Sequence, residues 1–468
     1  MVIPSKVHVA LLASPGLGHL IPTVELAKCL AAKHGVTITV FAVIPEDTPV
    51  QDELLRSATS LWPELINTVV LPSEKDFPSD VGVVPRMLAM VRSTFPALRS
   101  SINGMVNKPV ALIVDYFSTE AIEAIAQELN MLKYVFIATN ARCLYYNFYL
   151  PYVKKEANRD EPIYAPESEP IMDDGQFKLV LSLADQTIKE LVRVASHMAA
   201  ADGILVNTWE DLEAKTLNLF KEERFMKHIS RTPVHPIGPL VRAGEPTGSK
   251  PELMKWLDRQ PNKSVVYVSF GSGGTLSAQQ TIELALGLEL SEQRFIWVVR
   301  PPIENDSCAS LFKSKHSDED ELFEYLPDGF LNRTRNVGFV VPMWAPQEEI
   351  LTHGSVGAFV SHCGWNSSQE SIVNGVPIIT WPLYAEQHLN AVLLTKEFGI
   401  AVGPQEDPSK ELVKRDEIAK MVRRVMVNEE GIGIRTRVNE FKASAKEALS
   451  EGGTSYISLS KVVEKFVI

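Results

Sequence analysis

The chain has 468 residues, of which 45% are hydrophobic and 22% are charged, a balance typical of globular proteins rather than disordered or fibrous ones. Its formal net charge is −12, which argues against a broad nucleic-acid or anionic-membrane surface, because both need a positive field. The length exceeds what one hydrophobic core usually supports, so we expect two large domains.

The N-terminal segment shows no basic region followed by a long apolar stretch and a cleavage site. Val7–Ala13 is strand-like and too short to cross a membrane, so we expect a cytoplasmic protein without stable membrane insertion. The four cysteines are scattered and none forms a CxxC pair. The sequence therefore indicates neither a disulfide framework nor a zinc site.

Strand-length apolar runs alternate with helix-period stretches along the first half of the chain. Runs of this kind are typical of strands buried on both faces of a parallel sheet, and the alternation predicts a doubly wound α/β domain. The predicted strands are Val7–Ala13, Thr37–Val43, Ala111–Val114, Tyr134–Ile137 and Gly203–Val206, and the predicted helices between them include Pro22–Lys33 and Thr119–Leu129.

The same pattern restarts after Pro239. The surrounding stretch, Pro233–Pro251, is rich in proline and glycine, as interdomain linkers often are. We therefore predict a first Rossmann-like domain at 1–240, a linker at 241–251 and a second such domain at 252–453. Helical patterns fill the tail, where two glycines precede a last helix, Tyr456–Phe466. The predicted strands of the second domain are Ser264–Phe270, Phe295–Val299, Gly338–Val341, Ala358–Ser361 and Pro377–Trp381.

A glycine-rich turn, Pro15–His19, follows the first predicted strand directly. Ligands of open parallel sheets bind beyond the carboxyl ends of the strands, so His19 is expected at the mouth of a binding cleft. A dinucleotide fingerprint would need a third glycine where Ile21 stands. Taken alone, His19 is equally well interpreted as a helix-capping histidine.

Asp115 ends the Ala111–Val114 strand, a position where most aspartates cap helices. If this strand lies near the first, Asp115 can accept a hydrogen bond from one ring nitrogen of His19 and make the other nitrogen a better base. No GxSxG segment offers a serine nucleophile. We therefore expect the pair to activate a hydroxyl of the substrate.

The segment from Trp344 to Gln387 concentrates polar and aromatic residues around a strand, a glycine-containing turn and a helix predicted to begin at Ser368. Such a turn presents donors to a phosphate, indole faces suit a flat base or a sugar ring, and a carboxylate one turn into the helix can hold ribose hydroxyls. The Ser269–Thr275 loop can add phosphate donors. The residues singled out are Trp344, Gln347, His362, Gly364, Trp365, Asn366, Ser367, Glu370, Pro377, Trp381, Glu386 and Gln387.

An acidic run in the long predicted loop Asn305–Glu324 matches the DxD pattern that holds a metal–nucleotide in some glycosyltransferases. The match is Asp318-Glu319-Asp320, in a polar stretch with no strand around it. Acidic runs of this kind are usually solvated surface, so we predict no metal site.

The Trp344–Gln387 segment resembles the secondary-product signature box of plant family 1 UDP-glycosyltransferases. The likeness runs through nearly the whole chain and includes SPGLGHLIP, ALIVDYFSTEA, ADGILVNTWEDLE and SFGSGG; the most similar branch is the phenylpropanoid (monolignol) and hydroquinone glucosyltransferases. The resemblance implies a GT-B fold, with two facing Rossmann-like domains and a cleft between them. It implies that the first domain binds the acceptor, the second binds the UDP-sugar, and the last helix, about 454–468, joins the first.

The same resemblance implies a role for each matching residue. His19 is the general base and Asp115 its partner, Trp344 stacks on uracil, and Gln347 and Glu370 hold the ribose. His362, Asn366, Ser367 and Ser272 bind the diphosphate; Trp365, Glu386 and Gln387 hold the sugar hydroxyls, with Thr139 near the sugar; Gly18, Ala345 and Gly364 complete the donor site; and Tyr116, Phe117, Tyr146 and Tyr384 contact the acceptor.

The sequence departs from the family near the acceptor. Tyr116, Ser118 and Glu120 stand where close relatives often carry Leu, Gly and Asp. We expect the rest of the acceptor pocket to come from variable loops around Pro78–Arg86, Tyr145–Tyr152 and Met172–Leu183.

These observations predict an inverting, metal-independent glucosyltransferase. It would form β-O-glucosides on small phenolic acceptors with UDP-glucose as co-substrate and no other cofactor, and it would act as a monomer. Three alternatives stay open: C-glucosylation of an aromatic ring, a nicotinamide-dependent oxidoreductase, and a non-catalytic UDP-sugar-binding protein.

Overall fold

A computed structural model describes residues 7–45, 49–74, 77, 82–152, 185–242, 251–303 and 323–467. The chain divides into two compact units, one formed by Met1–Val241 with Glu447–Ile468 and the other by Arg242–Lys446. Within the described ranges, no helix is long and apolar enough to cross a membrane. The acidic run at 318–320 and the proposed pocket segments 78–81 and 172–183 lie outside the described residues.

The first unit is built on a parallel sheet with the order β3-β2-β1-β4-β5-β6-β7. Every residue of β1 and of β4 is buried, as expected for central strands covered by helices on both faces. The two strands are hydrogen-bonded neighbours, with Leu12 opposite Val114. The strands are β1 (His8–Ala13), β2 (Thr37–Val43), β3 (Ile66–Leu71), β4 (Ala111–Asp115), β5 (Leu132–Ile137), β6 (Gly203–Val206) and β7 (Val234–Pro236).

Two strands of this sheet were not predicted, and both lie at its edges. In β3 only Ile66 and Leu71 are buried, so the strand lacks a continuous buried run. The three residues of β7 are partly exposed and end in Pro236, a residue that sheets tolerate at an edge. The proline- and glycine-rich stretch Pro233–Pro251 therefore begins with a strand of the first sheet.

The helices of the first unit correct two predictions. The first helix begins at Leu17, not at Pro22, because Gly16 takes the positive φ of 98° needed at this turn and the proline lies inside the helix. Within the predicted helix Thr119–Leu129 the structure has a π-helical segment, Ile122–Gln127, and a 3₁₀ turn, Tyr116–Ser118, precedes the predicted range. The α-helices are α1 (Leu17–His34), α2 (Pro49–Leu61), α3 (Val83–Ser93), α4 (Phe95–Gly104), α5 (Ala141–Tyr149), α6 (Asp185–Ala199), α7 (Glu210–Leu219) and α8 (Glu223–His228).

The second unit repeats the architecture with a parallel sheet of order β10-β9-β8-β11-β12-β13. Its strands are β8 (Val265–Ser269), β9 (Arg294–Val299), β10 (Gly338–Pro342), β11 (Val356–Ser361), β12 (Ile378–Thr380) and β13 (Ala401–Val402). Its helices are α9 (Pro251–Asp258), α10 (Ala278–Ser291), α11 (Phe330–Thr334), α12 (Gln347–Thr352), α13 (Trp365–Asn374), α14 (Gln387–Val392), α15 (Arg415–Met426) and α16 (Glu429–Leu449), of which the last runs across the boundary between the units.

The last helix, α17 (Thr454–Lys465), packs on the first unit. Leu459, Val462 and the following Phe466 join the hydrophobic cluster that contains the residues of β1 and β2. The Ser455 hydroxyl donates a buried hydrogen bond of 2.6 Å to the carbonyl oxygen of Gly238. Residues near the C-terminus thus complete the hydrophobic core of the first unit, whose other residues lie in Met1–Val241.

Candidate active site

His19 and Asp115 meet at the carboxyl edge of the first sheet. The His19 Nδ1 atom lies 3.1 Å from Oδ1 and 3.0 Å from Oδ2 of Asp115. They meet because β1 and β4 are adjacent, and each residue follows or ends one of these strands. The Asp115 side chain is fully buried, whereas that of His19 is 25% exposed. The arrangement leaves a reachable imidazole backed by a carboxylate that water cannot reach.

Asp115 also caps the 3₁₀ turn that follows it, accepting a hydrogen bond of 3.4 Å from the backbone N–H of Phe117. The Asp115 side chain therefore both caps the turn and pairs with His19. Helix α1 has Gly16 at its N-cap and no side-chain capping bond. His19 does not serve as that cap, which leaves the pairing with Asp115 as the structural role of its Nδ1 atom.

Aromatic side chains border His19. Phe117 meets the imidazole edge-on, with ring centroids 5.2 Å apart, and Tyr116 lies 5.0 Å from Phe117. The Tyr116 hydroxyl donates a hydrogen bond of 2.5 Å to the side-chain oxygen of Asn147 on α5. Tyr146 is buried on the same helix.

The segment Tyr145–Tyr149 is helical, so the loop predicted at Tyr145–Tyr152 is wrong over most of its length. Helix α5 is fixed at its start by two residues. Asn140 accepts a hydrogen bond from the N–H of Cys143, and the buried Glu213 accepts from those of Ala141 and Arg142. The aromatic composition of α5 hides the helical period that would have shown it.

Sequence reasoning missed a hydroxyl pair between the segments that follow β1 and β4. Ser14 and Ser118 are both buried, and their hydroxyl oxygens lie 2.8 Å apart. The pair joins the loop after β1 to the turn after β4. The available signal was that each serine follows the end of one of two strands expected to be neighbours. Of the other donor residues assigned to this unit, Thr139 follows β5 and Gly18 lies in the first turn of α1.

In the second unit, the strand-to-helix turn after β11 brings several predicted donor residues together. Helix α13 begins at Trp365, three residues before the predicted start, with Gly364 at the N-cap and Cys363 at φ 65°. Asn366 and Ser367 therefore lie in the first turn, where backbone N–H groups have no intrahelical partner and the helix dipole favours an anion. The sharp turn at Cys363 hid this earlier start.

His362 is held tightly between two glycines. A Cβ atom added to Gly271 or to Gly364 would lie 2.5 Å from ring atoms of His362, so both backbones touch the imidazole. Burial, with the nearby positive charge of Arg300, lowers the pKa of His362 to about 4. Its Nδ1 atom has no hydrogen-bond partner among the described residues. At neutral pH, His362 is therefore an uncharged imidazole.

Gln347 connects two of the other predicted donor residues. Its side-chain amide donates to Oε2 of Glu370 at 2.6 Å and to the Ser367 hydroxyl at 2.8 Å. The carboxylate of Glu370, a residue that is 9% exposed, is thereby held in a defined orientation on α13. The Gln347 amide thus positions Glu370.

The tryptophans of this segment differ in exposure. Trp344 is 38% exposed, directly after Met343 at the positive φ of 60°, and can offer its indole face to a ligand. Trp365 and Trp381 are 2% and 0% exposed. Trp381 is a core residue, and Trp365 can meet a ligand mainly through its backbone at the helix start. Ala345 is buried beside Trp344.

Glu386 and Gln387 begin helix α14. The side-chain oxygen of Gln387 accepts hydrogen bonds from the N–H groups of Leu383, at 2.9 Å, and Tyr384, at 3.1 Å. The oxygen is thus used within the protein, which leaves the NH₂ end of the amide as the group that could donate to a ligand. Tyr384 belongs to this second unit.

Ser272 lies in the loop after β8, and its carbonyl oxygen accepts a hydrogen bond from the guanidinium of Arg300. Sequence reasoning missed Arg300, a single cation at the end of the apolar run of β9. In the part of the chain that the structure describes, no group of three His, Cys, Asp or Glu side chains is placed to hold a metal ion.

Comparisons with known proteins agree on one family. A family model described as "UDP-glucoronosyl and UDP-glucosyl transferase" matches residues 179–414. The chain is 46% identical to anthocyanidin 3-O-glucosyltransferase 5 of Manihot esculenta, over 97% of this chain and 94% of the relative. It is 41% identical to hydroquinone glucosyltransferase of Rauvolfia serpentina, over 98% and 97%.

Solved structures give the same picture. The structure of TcCGT1 in complex with UDP superposes with a TM-score of 0.89 at 40% identity and covers 99% of each chain. The structure of Medicago truncatula UGT71G1 complexed with UDP-glucose gives a TM-score of 0.84 at 29% identity, again with 99% coverage of both chains.

Proposed function

The chain belongs to plant family 1 of the UDP-glycosyltransferases, with the GT-B fold of that family, and from this premise we propose which transfer it performs. We propose that it moves glucose from UDP-glucose to a hydroxyl of a small phenolic acceptor, with inversion at the anomeric carbon. The observation that carries the proposal is the contact between His19 and the fully buried carboxylate of Asp115.

The proposed base is His19 Nε2. When Nδ1 donates its hydrogen to Asp115, the lone pair of the imidazole is on Nε2, and the carboxylate stabilises the imidazolium that forms. A phenol has an unperturbed pKa of about 10, so it is protonated at neutral pH, and a positioned base contributes roughly 10²–10⁴-fold in rate.

In the proposed reaction, His19 takes the acceptor proton as the acceptor oxygen forms a bond to the anomeric carbon. The bond from that carbon to the β-phosphate oxygen breaks, and UDP leaves with the bonding electron pair. An α-linked donor thus gives a β-glucoside. Negative charge develops on the β-phosphate, where the N–H groups at the start of α13 can stabilise it.

We assign the two substrates to different units. The second unit would bind UDP-glucose, with Trp344 against the uracil, Glu370 on the ribose and the NH₂ group of Gln387 on a sugar hydroxyl. The first unit would bind the acceptor beside Tyr116 and Phe117. The names of two relatives, an anthocyanidin 3-O-glucosyltransferase and a hydroquinone glucosyltransferase, support a phenolic acceptor and an O-linked product.

The decisive experiment is an acceptor screen with UDP-glucose, using simple phenols, coumarins, flavonoids and cinnamyl alcohols, with UDP release and product mass as readouts. We expect phenols to be glucosylated and the products to be hydrolysed by acid. An acid-stable product would instead indicate a carbon–carbon bond and C-glucosylation. No UDP release with any acceptor class would contradict the proposed transfer.

The base is tested by His19→Ala, which should abolish transfer and leave UDP affinity unchanged. His34→Ala is the matched control, because His34 ends the same helix and stacks on Tyr456. The His34→Ala variant should keep the wild-type turnover number per folded molecule. Retained turnover of a phenol by His19→Ala would remove the base assignment.

A further inference from the structure

Arg300 follows strand β9 at the carboxyl edge of the second sheet, among the residues proposed to bind the donor. Its guanidinium donates to the carbonyl oxygen of Ser272 and, at 3.2 Å, to that of Met343. It also lines a cavity together with Gly271 and Gly274 of the glycine-rich loop after β8. One side chain thus joins the loop of Ser272 to the turn that carries Trp344.

The charge of Arg300 has no acidic partner in the described parts of the chain. Both of its hydrogen bonds go to neutral carbonyl groups, and burial lowers the pKa of its guanidinium. Other arginines of this unit are paired: Arg333 with Glu289 and Arg415 with Glu283. Arginine stays protonated in proteins. A partly buried guanidinium that meets only neutral carbonyl oxygens is poorly compensated, so the position suits an anionic ligand.

The other candidate for a positive charge at this place is His362. Gly271, whose backbone touches the His362 ring, lines the same cavity as Arg300. Because His362 is uncharged at neutral pH, it can contribute a hydrogen bond but no charge. The net charge of the whole chain is −12, so attraction of an anion must come from local groups.

We propose that Arg300 is a donor-binding residue whose positive charge faces the diphosphate of the UDP-sugar, while its two carbonyl contacts hold the Ser272 loop against the Trp344 turn. This inference rests on the proposed function, because it requires a nucleoside diphosphate in the second unit. It assigns to one arginine the charge neutralisation that a metal ion supplies in other nucleotide sites.

The two parts of the proposal act on different ligands. Loss of the charge should weaken UDP and UMP but not uridine, because uridine carries no phosphate. Loss of the loop contacts should displace Trp344 and weaken all three ligands equally. A purely structural arginine would therefore leave the ratio of UDP affinity to uridine affinity unchanged.

The experiment measures the Kd of UDP, UMP and uridine by calorimetry for the full-length wild type, Arg300→Met and Arg300→Lys. Hydrogen bonds to charged groups contribute about 1.5–3 kcal/mol, so we expect Arg300→Met to lower the UDP-to-uridine affinity ratio by about 10- to 100-fold. Arg300→Lys keeps the charge and should keep most of the ratio. Arg333→Met, which removes an exposed cation from the same unit, is the control and should change neither affinity.

An unchanged UDP-to-uridine ratio in Arg300→Met would overturn the charge assignment, and an unchanged uridine Kd in Arg300→Lys and Arg300→Met would overturn the positioning of Trp344. If Arg300→Met does not fold, Arg300→Gln, which can still donate to a carbonyl, takes its place in the same test. Failure of wild type to bind UDP would contradict the proposed function itself, and so is distinguishable from failure of this inference.

Discussion

Asp115 illustrates how one side chain can carry both a structural and a chemical role. It caps the turn after β4 through one oxygen and contacts His19 through both. Its complete burial means that the carboxylate has little water to stabilise it, so the two N–H donors that it meets are its principal partners. Such a carboxylate orients the imidazole.

At this scale we predict that Asp115→Asn lowers the turnover number by about 10²–10⁴-fold, because an amide does not stabilise the imidazolium or select the tautomer as a carboxylate does. The Kd of UDP should not change. Steady-state kinetics with a phenolic acceptor and calorimetry with UDP measure the two quantities.

The matched control for this change is Asp202→Asn. Asp202 accepts a hydrogen bond of 2.8 Å from the N–H of Lys133 at the opposite, amino-terminal edge of the same sheet. The control should keep wild-type turnover. If Asp115→Asn does the same, Asp115 is a cap alone.

At the scale of single elements, helix α17 shows how a terminal segment is bound by its apolar face. Leu459 is 2% exposed in the cluster shared with β1 and β2, whereas Ile457 of the same helix is 44% exposed. The hydrophobic contribution of each residue scales with the apolar area removed from water. The buried face, rather than helix propensity, therefore accounts for the docking of α17.

We predict that Leu459→Ala lowers the free energy of unfolding of the first unit by about 2–5 kcal/mol, since it removes buried methyl groups and leaves a cavity. Ile457→Ala, an equally long aliphatic residue on the exposed face, should change it by no more than about 0.5 kcal/mol. Hydrogen exchange of the β1 and β2 amides reports on this unit. Equal effects of the two substitutions would show that α17 is not docked through this face.

At the scale of the whole molecule, each sheet has its own hydrophobic core. The cluster around β1 and β2 contains only residues of the first unit, and the clusters around β8 and β11 only residues of the second. Ligands bound by one unit stabilise that unit by mass action. Because the cores are separate, the unit that a nucleotide stabilises shows which unit holds the donor site.

We predict that UDP at about 100 times its Kd stabilises the second unit by about 2.7 kcal/mol. Hydrogen exchange should show the gain in protection in β11 and α13, with little change in β2 and β3. Phosphate alone at the same concentration is the control and should give a much smaller effect. Protection gained mainly in β2 and β3 would place the nucleotide in the first unit instead.

Much of the fold could be predicted from the sequence because buried parallel strands appear in it as short apolar runs. The predicted α/β class and the GT-B expectation are confirmed. Predictions failed where this signal was weak: at the half-exposed edge strand β3, at β7 within a proline-rich stretch, and at α5, where aromatic residues cover the helical period. The early starts of α1 and α13 depend on backbone angles at Gly16 and Cys363.

The sequence by itself determined the family, the alternation of most strands and helices, and the types of residue gathered at the strand ends, because local periodicity and compact motifs need no distant contact. Only the tertiary structure decided how side chains share partners. It turned Gln347 toward Glu370, made His362 neutral by burial, and left the charge of Arg300 among carbonyl groups. These properties depend on burial and on neighbours from other strands, and neither is encoded within one stretch of chain.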